Sequence, residues 1–470
     1  MAVSLCEDIS FLVDHLIPIP EMTPVISEAS FRKKESDGRI EEQNIPRFSK
    51  GNVHLNGSYS RIPSISQEVH MIKERFQKSK TMNMTVSLLS CAFLLGCTEG
   101  KSSITSPSMT PKPNGLKDCY RDYFDIGAAI QYQSIQSGRY EDLLPNFSTL
   151  TPENDMKWGK LEKEKGQFTY EGADIIVDYA KSNGKKVRGH TLLWHKSLPD
   201  WVKEECATKE KALALIDRHI DETMGHFKDG VYCYDVVNEA LHNTITDNNL
   251  DNGDYYRHGT SEISGSGTMD WYSLCGFDFI RQAFLSADQA RKKWNLDDVK
   301  LYYNDYSLNS PNKRKAAVKM IQRLQKENIA IDGIGMQAHY QLKDYLADSK
   351  KFMTNFEESI QAFTGLGIDV EITEFDIRTN DGTKKDYDVF PKETEEQQAK
   401  MYQEIYSVCR KYSLPWTAGA GTLNNVTTWG IADDHTPHST ATKKDYPLLF
   451  HVDHTQKLAV AAIKDFSEDQ

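Results

Sequence analysis

The chain has 470 residues, room for about one large domain or two to three average ones, with 39% hydrophobic and 26% charged residues, a globular balance on the polar side. Its net charge of −12, without a basic block, argues against a nucleic-acid partner and suits a neutral substrate. The 8 cysteines are scattered with no CxxC pair, against a zinc ribbon or a small disulfide scaffold, while 22 tyrosines and 7 tryptophans supply ring faces suited to sugars or to protein surfaces.

Residues 1–70 carry apolar residues without a sustained period, broken by stretches such as IPIPEMTP and FRKKESDGRIEEQ, and are expected to be disordered or poorly packed. Met71–Lys80 is then basic, Val86–Leu95 is apolar, and Gly96-Cys97 closes the run. That order is a secretory signal peptide, and its apolar part falls short of the roughly 20 residues a membrane span needs. The LLGC ending resembles the lipobox of bacterial lipoproteins, which implies lipidation at Cys97; the other reading is a buried helix holding two cysteines. Residues 98–114, rich in Ser, Thr and Pro (SSITSPSMTPKPN), read as a tether. The expectation is an exported lipoprotein, anchored to a membrane through its lipid and facing the periplasm or the cell surface. The true start is then Met71 or Met82, and 1–70 is an upstream extension.

From Gly115 onward, apolar runs ending in polar residues alternate with amphipathic stretches. The runs are Phe124–Ile130, Phe147–Thr151, Lys186–Trp194, Val231–Val237, Val299–Tyr303, Ile331–Gln337, Ile368–Ile372 and Ala418–Trp429. Helical patterns lie between them at Gly172–Ser182, Lys209–Met224, Trp271–Trp294, Asn312–Glu327, Lys351–Leu366 and Thr394–Tyr412. Eight strands alternating with helices predict an α/β fold, a (β/α)8 TIM barrel over 115–466. A doubly wound sheet is the rival, but no GxGxxG or Walker sequence occurs.

In such a barrel the residues just after each strand share one mouth. The second strand brings Glu153, Asn154 and Lys157; the third His190 and Trp194-His195; the fourth Asn238-Glu239. The fifth brings Asn304-Asp305-Tyr306, the sixth Gln337 and His339, the seventh Glu374, and the eighth Trp429. Each residue has a structural alternative, Glu239 as a helix cap above all. Together they form a set of carboxylates, hydrogen-bonding groups and indoles that fits a carbohydrate. Glu239 and Glu374 are the pair that glycoside hydrolysis requires, one acid for the leaving oxygen and one carboxylate at the anomeric carbon. Close carboxylates resist joint ionisation, so one of the two is expected to keep its proton while the other is charged. A metal-dependent hydrolase using His190, His195 and His339 is the competing chemistry, but no HExxH-type arrangement accompanies them.

The ordered motifs TPENDMKW, GHTLLWH with LPDWV, DVVNEA, YYNDY, GIGMQAH, ITEFD and TTWG resemble the xylanases of glycoside hydrolase family 10 over roughly Gly115 to Asp465. The resemblance implies retaining endo-hydrolysis of β-1,4-xylan without a metal or other cofactor. It makes Glu239 the acid/base and Glu374 the nucleophile, with Asn238 on the sugar 2-hydroxyl. His339 would hold the nucleophile and Gln337 would shape the +1 side. Glu153, Asn154 and Lys157 would bind the glycone, His190 and Trp194 would line −1, Tyr306 would lie near +1, and Trp429 would floor the reactive sugar. The implied partners are xylan or xylo-oligosaccharide and, through the lipid, a membrane; the chain is expected to be a monomer. A non-catalytic glycan-binding lipoprotein of this fold and a glycosidase on another β-1,4-glycan remain as alternatives.

The sequence departs from that family in two places. The Ser-Trp pair that commonly follows WG is absent from Trp429–His438, so the glycone roof is altered. Glu374 also follows Glu239 by 135 positions, and the excess lies in Asn243–Met269, a loop expected to border the aglycone side. Intact-mass analysis of the native protein is expected to place its N-terminus at a lipidated Cys97; peptides recovered from 1–70 would overturn that processing.

Overall fold

The apolar runs pair as parallel strands. In the computed structural model, which describes residues 115–380, 390–439 and 444–467, these are β1 (Asp125–Ile130), β2 (Thr149–Pro152), β3 (Lys186–Gly189), β4 (Val231–Asn238), β5 (Lys300–Asp305), β6 (Gly333–Met336), β7 (Asp369–Arg378) and β8 (Leu423–Thr428). Each pairs with its neighbour in chain order and β8 pairs with both β7 and β1, so the sheet closes on itself. Closure leaves no strand edge and buries the strands on both faces, which is why their sequences are apolar rather than alternating. The upstream segment 1–70, the signal peptide with Cys97 and the 98–114 tether all lie outside the described residues.

A helix follows every strand: α1 (Tyr132–Gln136), α2 (Glu171–Ser182), α3 (Lys209–His226), α4 (Asp278–Lys293), α5 (Pro311–Lys326), α6 (Ser349–Thr364), α7 (Lys392–Lys411) and α8 (Leu458–Lys464). The fold is a (β/α)8 TIM barrel. The helices pack by one face; α3 buries Ala212, Ile216, His219, Ile220, Thr223 and Met224, positions three or four apart along it. Their starts carry local signals. Thr208 caps α3 through the Lys211 amide, Asp348 caps α6 through the Lys351 amide, and Pro311 opens α5 with no amide to leave unpaired.

Three elements depart from the expected boundaries. Trp271–Trp294 is two helices, because Gly276 at φ 59° ends the first after Cys275. The third run is interrupted after Gly189, and Leu193–Trp194 pairs separately with the end of β4. The seventh strand continues through Glu374 to Arg378, because the short strand His339–Gln341 pairs with Asp376–Arg378 beyond the barrel wall.

The interior is not wholly apolar. Arg188 of β3 reaches Asp235 of β4 (Nη2 to Oδ1, 2.6 Å) and Glu371 of β7 (Nε to Oε2, 2.7 Å), and since β3 and β7 are not neighbours its side chain must cross the barrel. Tyr232 donates to Glu371 (3.1 Å) and Asn425 to Tyr232 (2.7 Å), so the remaining polar atoms are also met. Burial alone would lower the basicity of Arg188, yet its carboxylate partners hold its pKa well above the usual value. Burial likewise pushes the Glu371 carboxyl up, although Arg188 opposes the shift. Arg188→Met would strand two carboxylates in the interior, and we expect a loss of about 3–5 kcal/mol of stability near neutral pH. The stranded carboxyls would take up protons in the folded state at higher pH than in the unfolded chain. The loss should therefore shrink as pH falls from neutrality through these raised values toward the ordinary carboxylate range; denaturant unfolding at pH 7.5 and pH 4 measures both.

Candidate active site

The strand ends place the carboxylates. Asn238 is the last residue of β4, and the chain then turns at Glu239 with φ 55°, a left-handed conformation uncommon for a residue with a side chain. Two contacts hold that turn. The Glu239 amide donates to the Asn304 carbonyl at 2.8 Å, and Arg257 Nε donates to the Glu239 carbonyl at 2.8 Å. Across the mouth, the amide of Glu374 in β7 donates to the Gln337 carbonyl at 3.0 Å, and Gln337 lies just past β6. Both glutamates are buried, at 8% and 5% exposure.

A chain of amides joins them. Gln337 Nε2 donates to Glu239 Oε1 at 3.1 Å and to Asn238 Oδ1 at 3.3 Å. Asn304 Nδ2 donates to Asn238 Oδ1 at 2.9 Å and to Glu374 Oε1 at 2.8 Å, while Thr373 donates to Asn304 Oδ1 at 2.6 Å. A carboxylate only accepts, so Glu374 fixes which end of Asn304 is the nitrogen. That nitrogen requires the Asn238 oxygen opposite it, because the reverse would set two N–H groups against each other. The Asn238 nitrogen is thereby left facing Glu239, at 3.4 Å from Oε1.

The two carboxylates have unlike surroundings. Glu374 Oε2 receives His339 Nε2 at 3.0 Å, while His339 Nδ1 meets Asp376 at 2.7 Å and His438 Nε2 meets the same Asp376 oxygen at 3.0 Å. Burial would push the His339 imidazolium down, but Asp376 and Glu374 raise it to about 10, so the ring carries both protons at neutral pH. Burial would raise the Glu374 carboxyl; the His339 hydrogen bond, the charges of His190 and His339 and the Asn304 amide outweigh it and hold Glu374 below the ordinary value. Asp376, also buried, is held low in the same way by His339 and His438.

The remaining predicted residues line this mouth. Glu153 accepts from Gln131 (3.1 Å) and Asn154 (3.2 Å), and Lys157 Nζ donates to Asn154 Oδ1 at 2.9 Å. Lys157 also lies 5.2 Å from the Trp194 ring, close enough for a cation–π contact. Burial lowers the Lys157 pKa although the nearby charges of Glu374, Glu153 and Glu239 oppose the shift, so this ammonium serves all three carboxylates. His190 Nδ1 meets Asp235 at 2.8 Å, and the rings of His190 and His339 both stand edge-on to Trp429, at 5.3 and 6.2 Å between centroids. Tyr306 sits apart on the side of the β4–α4 loop, where Arg257 Nη2 donates to its hydroxyl at 2.6 Å and Lys313 Nζ lies 3.7 Å from its ring. His190, His195 and His339 do not converge on one point. The first is tied to Asp235 and the third to two carboxylates, while the ring nitrogens of buried His195 have no hydrogen-bond partner among the described residues.

Sequence reading missed several participants. Asn304 was visible as a polar strand end but carried no assigned role. Asp376, in the ITEFD strand end, and His435 and His438, in the segment after Trp429, likewise carry no assigned role in the sequence, and Asp235 and Arg257 are not singled out, since each matters through a partner distant in the chain. His435 and His438 occupy the segment that lacks the second tryptophan; His435 lies 3.6 Å from Glu153, which raises its pKa.

Two dissimilar carboxylates among amides and indoles, at the strand-end mouth of a (β/α)8 barrel, define a glycoside hydrolase. The sequence model of glycosyl hydrolase family 10 matches residues 115–466, and the chain belongs to that family. It is similar to a β-1,4-xylanase of Dictyoglomus thermophilum, 39% identical over 357 residues that cover 75% of this chain and 90% of the relative. It is also similar to endo-1,4-β-xylanase A of Caldicellulosiruptor saccharolyticus, 33% identical over 360 residues, 75% of this chain and 95% of that one. Among solved structures, an endo-1,4-β-xylanase from Caldicellulosiruptor owensensis superposes with a TM-score of 0.64 at 30% identity, covering 75% of this chain and 99% of that chain.

His339→Gln removes the positive charge beside Glu374, so the Glu374 carboxyl should titrate at higher pH. The acid limb of the kcat/KM profile on a soluble xylo-oligosaccharide is expected to move upward in pH. An unmoved limb would mean that His339 does not set the ionisation of Glu374.

Proposed function

We propose that the chain is an endo-1,4-β-xylanase acting in xylan catabolism, cutting internal β-1,4-xylosidic bonds with retention of configuration by double displacement. The observation that carries this reading is the unequal bonding of the two glutamates. Both oxygens of Glu374 receive donors that stabilise its charge, whereas Glu239 receives amide contacts at Oε1. A carboxylate kept charged and fixed in place is suited to attack the anomeric carbon, and a less restrained carboxyl beside it is suited to give up a proton. The names of the relatives supply the substrate, and a similar solved structure, 32% identical with a TM-score of 0.64, is a complex with xylotriose.

In the first step Glu239 protonates the leaving glycosidic oxygen while Glu374 bonds to the anomeric carbon. Forming the glycosyl-enzyme ester removes the charge of Glu374, and Glu239, now ionised, takes a proton from the incoming water. Asn238, held by Asn304 and Gln337, presents its nitrogen for the 2-hydroxyl of the reacting sugar. Glu153, Asn154 and Lys157 bind glycone hydroxyls, with His190 and Trp194 at −1, Trp429 beneath the reacting sugar, and Tyr306 and Gln337 on the +1 side. We also propose, on the signal-peptide sequence alone, that the enzyme acts outside the cytoplasm on a lipid anchor at Cys97.

Glu374→Gln should lower kcat on xylan at least about 1,000-fold, and Glu239→Ala should cost about 100- to 10,000-fold with an aryl xylobioside of poor leaving ability. Added azide should partly restore the second variant and give a β-xylosyl azide. Proton NMR of the wild-type reaction should show the β-anomer first. An α-anomer appearing first, or full activity in Glu374→Gln, would contradict the mechanism.

A further inference from the structure

Beyond the catalytic mouth, the loop between β4 and α4 gathers side chains that the hydrolysis does not use. Leu241 pairs with Tyr256, the His242 amide donates to the Tyr255 carbonyl at 3.0 Å, and Gly253 turns the chain at φ 74°. This folding brings the rings of His242 and His258 to 4.9 Å between centroids, with Asp254 beside both. Asp254 Oδ1 lies 3.8 Å from His242 Nε2 and 3.7 Å from His258 Nε2, and these ligand atoms fall within 4.8 Å of one another.

The outer contacts fix which ring nitrogens are available. His258 Nδ1 meets the Tyr256 carbonyl at 2.9 Å, and His242 Nδ1 meets Glu262 Oε2 at 3.2 Å. Both oxygens can only accept, so each Nδ1 carries the proton and each Nε2 keeps a lone pair directed toward Asp254. Imidazoles whose far nitrogen donates to a carboxylate or carbonyl are the usual outer arrangement of metal-bound histidines. The Asp254 separations are too long for hydrogen bonds. The guanidinium of Arg257, on the same loop, is occupied by Glu239, Asn243, Glu262 and Tyr306.

We propose that His242, Asp254 and His258 form a binding site for a divalent transition metal of the zinc type, with water at the fourth position. Zinc bonded at about 2.0–2.2 Å sets tetrahedral ligand atoms roughly 3.3 Å apart, so the carboxylate of half-exposed Asp254 has to move inward by about half an ångström toward each imidazole, and the two rings, whose ligand atoms lie within 4.8 Å of each other, have to close on the ion as it binds. Two imidazole ligands select against calcium and magnesium, which prefer oxygen. Asp254 is half exposed, at 51%, which leaves a path for entry. A second cluster of similar size, His339, Asp376 and His438, does not qualify, because both His339 nitrogens are committed to carboxylates.

The metal would brace the loop rather than react. Glu262, which orients His242, also receives Arg257 Nη1 at 3.2 Å, and Arg257 holds the Glu239 carbonyl and the Tyr306 hydroxyl. The site is therefore linked to the backbone of the carboxylate at the mouth through Glu262 and Arg257, three hydrogen-bonded steps in sequence.

The test is calorimetric titration of the tag-free full chain with ZnCl2 after chelator dialysis, beside Asp254→Asn, His258→Gln and the double variant. Wild type is expected to bind one zinc per chain, each single variant at least about 10-fold more weakly, and the double variant none. Zinc should raise the Tm of wild type and not that of the double variant. Cobalt substitution of wild type should give the intense visible absorption of a four-coordinate site, a reading that needs no variant. Failure of wild type to bind zinc, equal zinc binding by the double variant, or equal affinity for CaCl2 would overturn the site.

Discussion

A guanidinium inside the barrel is the constraint on which the rest of the mouth depends. Arg188 cannot be left unpaired in the interior, and it is paired across the barrel with Asp235 and Glu371. The pairing ties β3 to β4 and β7, the two strands that lead to Glu239, just past the end of β4, and to Glu374, within β7. Asp235 is shared, because the carboxylate that neutralises Arg188 also accepts from His190 at 2.8 Å and so sets the orientation of that ring beside Trp429. A charge placed for the core thereby positions a residue of the site. An apolar side chain at 188 would fill space but would provide neither the cross-barrel tie nor a charged partner for Asp235.

Above that layer the site is organised by hydrogen-bond polarity. The charge on Glu374 dictates the amide orientation of Asn304, Asn304 dictates that of Asn238, and the Asn238 nitrogen is what remains for substrate. The left-handed turn at Glu239 serves the same end, since it takes the carboxylate out of the strand direction while Asn304 and Arg257 hold its backbone. Conformational strain of about 1–3 kcal/mol at such a residue persists only where the surroundings over-determine it, and here a strand neighbour and a loop arginine both do so. Glu374 instead stays within β7, where the register against β8 shifts by one residue between Ile372 and Phe375. The difference in backbone matches the difference in side-chain restraint between the two carboxylates.

Much of this architecture was legible in the sequence because burial on both faces makes strands such as Val231–Asn238 mostly apolar, and one-sided burial gives Lys209–His226 its spacing. The polar residues ending those runs were legible for the same reason, since they interrupt an apolar pattern. Relationships between distant positions were not legible. Arg188 and Glu371 are separated by 183 residues, and within their own strands each reads as an isolated charge. Gly276, one residue inside a long amphipathic pattern, divides a helix because its positive φ matters more than the periodicity around it. His438 carries no sign of its bond to Asp376 until the chain returns over β7. The pair Asn304 and Thr373 shows the limit most clearly: both stood in view at strand ends, yet only their contact reveals that one aligns the other against Glu374.

The segment after β8 gives the departure from the family a physical meaning. In the segment where the family resemblance leads to the expectation of a second tryptophan, this chain places Asp434, His435 and His438, and each is bound elsewhere on the mouth. Asp434 accepts from Arg139 Nε and the Tyr140 hydroxyl, both at 2.8 Å; His435 approaches Glu153; His438 meets Asp376. A tryptophan would cover a sugar through apolar area, indifferent to hydroxyl positions. Imidazoles paired with carboxylates instead offer directed donors, and the one beside Glu153 engages the very carboxylate proposed to hold glycone hydroxyls. Burial would raise the Glu153 carboxyl, and its bonds to His435 and Gln131 with the charge of Lys157 hold it low and ionised. With Glu153 on the glycone side as proposed, that side reads hydroxyl positions through fixed charges, and its discrimination should depend on how closely a sugar matches that pattern rather than on how much of its face is covered.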